Sequence, residues 1–131
     1  MWLLGLSFLS YSFMMLKGEM IVLPFGFFFL FSLVEFGSLN QLTALLALLG
    51  FILLLRTLRK PVTRTILLLH GLSFLLLVAP IVNRLMDVPV HLFNYAAFLG
   101  PLVSFVVLYL TALAIAFFIL VKVDRTTHNE L

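Results

Sequence analysis

The sequence predicts an all-α fold, a polytopic transmembrane helical bundle that forms one domain over residues 1–131. Of the 131 residues, 64% are hydrophobic and only 10% are charged, and the mean hydropathy is +1.28. Globular domains are roughly 45–50% apolar and about 25% charged, so this chain lacks the polar side chains that would cover a soluble core. The apolar residues also fall into long runs that no Gly- or Ser-rich linker divides. We therefore expect lipid to surround most of the chain.

The charge and cysteine counts exclude several other classes of protein. The pI of 9.7 arises from a net charge of only +3 on very few charged residues, so we expect no nucleic-acid partner. The sequence contains no cysteine, which removes a disulfide framework, thiolate metal sites and a cysteine nucleophile.

The first two apolar runs, residues 2–16 and 20–35, are separated by the charged turn Lys17-Gly18-Glu19. One helix through both runs would be about 50 Å long and would carry these charges through a hydrocarbon core that is about 30 Å thick. We therefore predict a tight helical hairpin of two short spans, which gives five spans in all. The alternative is four spans, with residues 1–16 lying in the membrane interface or forming a re-entrant segment.

Three further spans are predicted at residues 38–58, 65–82 and 97–121. Each is close to the roughly 17–25 residues that a transmembrane helix needs, and the last contains no charged residue. Pro80 is expected to end or bend the second of these helices. Residues 122–131 carry several charges and are predicted to form a polar cytoplasmic tail.

The positions of the basic residues predict the orientation. The eight Lys and Arg residues are Lys17, Arg56, Arg59, Lys60, Arg64, Arg84, Lys122 and Arg125. In the five-span topology seven of them share one side and only Arg84 lies on the other. Because Lys and Arg accumulate on the cytoplasmic side, we expect a cytoplasmic C-terminus, an external N-terminus and a multi-pass protein of the plasma membrane, a bacterial inner membrane above all. The four basic residues of the 56–64 loop would also attract anionic lipid headgroups.

His70, Ser73 and Glu35 form the candidate intramembrane polar site. His70 lies inside the span 65–82, and an ionisable residue in a membrane helix is a functional candidate. The favoured interpretation is structural: a neutral imidazole hydrogen-bonded to a neighbouring helix, with Ser73 on the same face. Glu35 ends a Phe-rich run, where it is either a proton or cation site or, as we favour, a helix-end carboxylate that reaches water.

Small residues predict where helices pack against one another, since membrane helices approach closely through small side chains. Two ridges are predicted: Thr43, Ala47 and Gly50 on the third span, and Gly100, Ser104, Ala112 and Ala116 on the last. Ser38, Asn40 and Gln41 precede or begin the third span, and we expect them to cap it.

The sequence contains no catalytic motif: no triad-like serine, no HExxH, no acidic pair and no glycine-rich phosphate loop. We therefore expect no enzyme activity, no cofactor and no metal site. The expected function is a structural or accessory role in a larger membrane assembly, with the lipid bilayer and other membrane subunits, or further copies of the chain, as partners. The alternative is a small homo-oligomeric transporter or channel.

Overall fold

The computed structural model describes residues 2–17 and 22–129, and most of them are helical. The described helices are α1 (Trp2–Ser12), α2 (Phe25–Val34), α3 (Leu39–Thr57), α4 (Arg64–Asp87) and α5 (Ala96–Asn129). Two three-residue strands, β1 (Met15–Lys17) and β2 (Val22–Pro24), pair antiparallel, and a short 3-10 turn covers Val90–Phe93.

The helical class of the fold is confirmed, with three candidate membrane spans among the described residues. Leu39–Thr57, Arg64–Asp87 and Ala96–Val123 are long and apolar enough to cross a membrane. They correspond to the three spans predicted at 38–58, 65–82 and 97–121. At 1.5 Å per residue, even the shortest of them is about 28 Å long, close to the thickness of a hydrocarbon core.

Helices α3 and α4 form an antiparallel pair whose first turns are capped by side chains. At the start of α3 the Ser38 hydroxyl accepts a hydrogen bond from the Gln41 backbone N–H, at 3.0 Å, as predicted for an N-cap. The Gln41 amide oxygen in turn accepts from the backbone N–H of Gly37, the residue before the cap, which ties the entering chain to the first turn of α3. Thr63 caps α4 in the same way by accepting from the N–H of Ile66.

Gly50 allows α3 and α4 to approach closely. A Cβ at this position would lie 2.8 Å from the Cβ of Leu76 and 3.0 Å from the carbonyl oxygen of Ser73, both on α4. Real Cβ atoms do not approach that closely, so any larger residue would separate the helices. On α4 five buried residues recur at alternating steps of four and three, the spacing of a left-handed helix pair: Ile66, His70, Ser73, Leu77 and Pro80.

Two helices extend beyond their predicted ends. Helix α4 passes through Pro80 and continues to Asp87, so of the two predicted effects of Pro80, an end or a bend, the end is not observed. Pro80 is buried against the bundle, and as a proline it has no backbone N–H to donate within the helix. The Asn83 side chain, in the next turn, donates to the Asn40 side chain of α3, and this bond supports the helix beyond Pro80. Helix α5 likewise continues through the predicted tail to Asn129.

Helix α1 lies along α5 and runs in the opposite direction. The Ser7 hydroxyl donates to the carbonyl of Phe105 at 3.0 Å. Beyond the end of α1, the Tyr95 hydroxyl donates to the carbonyl of Met15. At the start of α1, Trp2 shares a groove with Ile115. The segment therefore follows α5 from Tyr95 to Ile115, a distance of about 30 Å.

This packing corrects the topology predicted for the first 35 residues. The groove beside Trp2 also includes Val62, so the N-terminus lies at the end of the bundle that carries the basic loop. We call this the basic end, and the end that carries β1 and β2 the hairpin end. The backbone of Lys17, in β1, lies at the hairpin end, where the five-span topology had placed the N-terminus.

The predicted helices 2–16 and 20–35 are shorter in the structure for local reasons. Residues 15–17 pair with β2 instead of continuing α1. Pro24 disfavours helical backbone at the residue before it, so α2 begins only at Phe25 and is about 15 Å long. Gly18 and Glu19 of the predicted turn lie outside the described residues.

Aromatic rings fill the centre of the bundle. Phe105 and Tyr109 on α5 are fully buried, and the ring of Phe105 contacts Tyr11 of α1 and Phe74 of α4. Phe8 of α1 stacks on Phe51 of α3 with ring centroids 4.2 Å apart. These contacts join α1 to α3 and α5 directly, and to α4 only through Phe105, which explains why so short a helix holds a fixed place in the core.

Replacing Gly50 with Ala is expected to destabilise the protein more than the same change at Gly71. The added methyl group at position 50 clashes with α4, whereas at position 71 it meets no atom within 4 Å. Overpacking costs about 1–3 kcal/mol, and the gain in helix propensity is the same at both sites. The free energy of unfolding in mixed detergent micelles measures the difference. Equal stability of the two variants would show that the α3–α4 contact is looser than described.

Candidate functional site

The candidate site is a buried polar cluster at which α3, α4 and α5 meet. On α4, His70 and Ser73 are 1% and 0% exposed, and Tyr109 on α5 is also fully buried. The Ser73 hydroxyl donates to the carbonyl oxygen of Gly50 at 2.5 Å, and the Tyr109 hydroxyl donates to the carbonyl oxygen of His70 at 3.0 Å. These two bonds join α4 to α3 and α5 to α4, so the cluster links three helices.

Local sequence spacing brings these residues together. His70 and Ser73 are three residues apart on the buried face of α4, and Tyr109 follows the buried Phe105 by one turn of α5. Because Gly50 carries no side chain, its carbonyl is open to the Ser73 hydroxyl across the helix contact.

The imidazole of His70 differs from its neighbours in the cluster. Within the described part of the chain, neither Nδ1 nor Nε2 has a hydrogen-bond partner, although both are buried. The hydrogen bond at this residue is made by its backbone carbonyl. The predicted bond from the imidazole to a neighbouring helix is therefore not seen. Leaving such a polar group without a partner costs roughly 1–3 kcal/mol.

Glu35 does not join this cluster. It is exposed at the end of α2, and its carboxylate accepts a 3.4 Å hydrogen bond from the side chain of Asn40. The Asn40 side chain in turn accepts from Asn83 at 2.8 Å, so Glu35 belongs to a polar chain at the hairpin end. Asn83 is thirteen residues from His70 on α4, which separates the two candidates by about 20 Å along the helix. The position of Glu35 fits a helix-end carboxylate that reaches water.

The predicted packing residues divide into buried and exposed groups. Ala47, Gly50, Ala112 and Ala116 are buried within the bundle. Gly100 and Ser104 are exposed, and among the described residues Phe98, Phe105 and Tyr109 are the buried side chains in that part of α5. Thr43 is half-buried and donates to the carbonyls of Leu39 and Asn40 in its own helix.

The basic loop lies between α3 and α4. Arg56, Arg59, Lys60 and Arg64 are all exposed. Asn40, which we expected to cap α3, instead connects α3 to α4 through Asn83.

Tyr109 is the member of the cluster that the sequence analysis missed. Its spacing carries a usable signal, because Phe105, Tyr109, Ala112 and Ala116 follow one another at steps of four, three and four. The small residues of the predicted ridge recur at steps of four, which drift round the helix, so only Ala112 and Ala116 share the buried face with Tyr109.

The described residues contain no group of three or more His, Asp or Glu side chains that could hold a metal ion. No known protein family matches the chain, and no curated protein or solved structure is significantly similar to it.

Replacing His70 with Leu is expected to leave the free energy of unfolding unchanged or to raise it, because the change removes a buried polar group that has no partner among the described residues. Replacing Ser73 with Ala is expected to lower the free energy of unfolding by about 0.5–1.5 kcal/mol, because a hydrogen bond between helices is lost. Unfolding in mixed micelles measures both. A His70→Leu variant that is less stable than Ser73→Ala would show that the imidazole has a structural partner.

Proposed function

We propose that the protein is a small integral membrane protein with a structural or accessory role, as a subunit or partner of a larger membrane assembly. The observation that carries this proposal is the outer face of α5, where Gly100, Ser104 and Thr111 are exposed on one side of the helix. Lipid gains nothing from small or hydroxyl-bearing residues, whereas another helix packs closely against them and accepts their hydrogen bonds. This face therefore supports contact with a second membrane helix.

The buried polar groups support the same proposal. The hydroxyls of Ser7, Ser73 and Tyr109 all bond to backbone carbonyls of neighbouring helices. These groups hold the bundle together and are not arranged around a reacting centre. The proposal accordingly includes no catalytic activity and no cofactor, and its partners are the lipid bilayer and other membrane subunits or a second copy of the chain.

The charge distribution supports a multi-pass protein of the plasma membrane with a cytoplasmic C-terminus. Six of the eight basic residues belong to the 56–64 loop and the end of α5, whereas Lys17 and Arg84 lie towards the hairpin end. The positive-inside tendency therefore favours a cytoplasmic basic end. In this arrangement the N-terminus is cytoplasmic as well, the chain crosses the bilayer four times, and α2 enters only part of it.

A small homo-oligomeric transporter or channel is the second candidate, and His70 favours it. A buried imidazole without a protein partner can exchange a proton or hydrogen-bond to a solute or water. This candidate requires that His70→Leu abolishes flux in vesicles while insertion and stability remain unchanged. An accessory subunit keeps its partner in the same variant.

Adding bulk to the exposed face of α5 is expected to release the partner. A double variant with Gly100→Leu and Ser104→Leu should reduce the partner that co-purifies from native membranes in mild detergent about tenfold or more, because overpacking a contact costs about 1–3 kcal/mol. Quantitative mass spectrometry of the purified complex measures the change.

The matched control is Leu110→Phe, which adds bulk to an exposed position about 100° further round the same helix. It should retain the partner. Equal retention by the wild type and both variants would contradict the proposal. If only copies of the chain itself are retained, and the double variant releases them, the partner is a homo-oligomer.

A further inference from the structure

An apolar groove opens between α1 and the basic end of α3. It has a volume of about 540 Å³. Its lining residues are Trp2, Gly5, Leu6, Leu9, Leu58 and Arg59. The groove is thus apolar along most of its length and has a cationic side chain at one end. Its volume lies within the range of about 300–1,000 Å³ that small-molecule sites occupy.

We propose that this groove binds an anionic phospholipid, with an acyl chain along α1 and the phosphate at Arg59. The proposal depends on the membrane location of the chain but not on its accessory role. The apolar walls match an acyl chain and offer nothing to a free anion. Trp2, 90% exposed at the basic end, suits the headgroup level, where tryptophan is enriched.

The charge around the opening favours an anionic headgroup. Arg56, Arg59 and Lys60 are exposed in the same loop, and the sequence contains no Asp or Glu between Glu35 and Asp87. No acidic residue in this stretch of chain offsets the positive charge. These positive charges therefore attract the headgroup of an anionic phospholipid more strongly than the headgroup of a zwitterionic one.

Gly5 keeps the groove open. A Cβ at Gly5 would meet no atom within 4 Å, so a side chain there would extend into free space. A leucine at this position would occupy part of the groove without disturbing the contacts of α1 with α5. Gly5 thus offers a way to block the acyl-chain site while Arg59 and the fold are unchanged.

Native mass spectrometry in detergent, with phosphatidylglycerol and phosphatidylcholine of identical chains, tests the site. We expect one phosphatidylglycerol to bind about fivefold more tightly than phosphatidylcholine, the factor that one Arg near the surface produces. Arg59→Gln should remove this preference, and Gly5→Leu should weaken the binding of both lipids. An excess of inorganic phosphate should not displace the lipid.

Two controls separate the groove from general effects. Lys60→Gln removes a loop charge that does not line the groove and should change the preference less than twofold. Gly71→Leu adds the same bulk at another open glycine and should leave binding unchanged. Equal effects of Arg59→Gln and Lys60→Gln would show that the basic loop attracts anionic lipid without a specific site, and this would overturn the proposal. Unchanged binding in Gly5→Leu, or displacement by phosphate, would overturn it as well.

Discussion

The close contact of α3 with α4 at Gly50 is the constraint on which the rest of the bundle depends. Because Gly50 has no side chain, Ser73 reaches its carbonyl, and Tyr109 of α5 joins the same cluster by donating to the carbonyl of His70. One turn before Tyr109, the backbone carbonyl of Phe105 accepts a hydrogen bond from the Ser7 hydroxyl, which holds α1 against α5. A single close approach of two backbones thus sets the positions of four helices.

Hydroxyl groups that donate to backbone carbonyls connect the elements throughout the bundle. Ser7, Ser73, Tyr95 and Tyr109 each make such a bond to a different element. A helical carbonyl has two lone pairs, and its own helix uses only one, so a hydroxyl can bond to it without breaking the helix. In a surrounding without water these bonds add specificity that apolar packing against equally apolar lipid cannot provide. The imidazole of His70 lies beside two of them, yet no such bond involves its ring nitrogens.

The length of the apolar runs was enough to predict the three long helices, while the residue types at positions 38 and 50 predicted the cap of α3 and its close contact. The direction of α1 could not be predicted, because it depends on bonds between distant residues, such as that of Tyr95 with Met15. On α5 the predicted Ala112 and Ala116 are buried, but Gly100 and Ser104 are not, because aromatic rings fill the contact in that half of the helix. His70 was identified as a buried polar residue, but its lack of a partner is a property of packing that the sequence does not encode locally.

The most direct test of this account is the side of the membrane from which the start of α1 is reached. Since the chain contains no cysteine, single cysteines at Trp2, Pro61 and His91 can be labelled with an impermeant thiol reagent in sealed vesicles of known orientation. The account predicts that positions 2 and 61 react from the same side and position 91 from the other. Reaction of positions 2 and 91 from one side, with position 61 protected there, would contradict it.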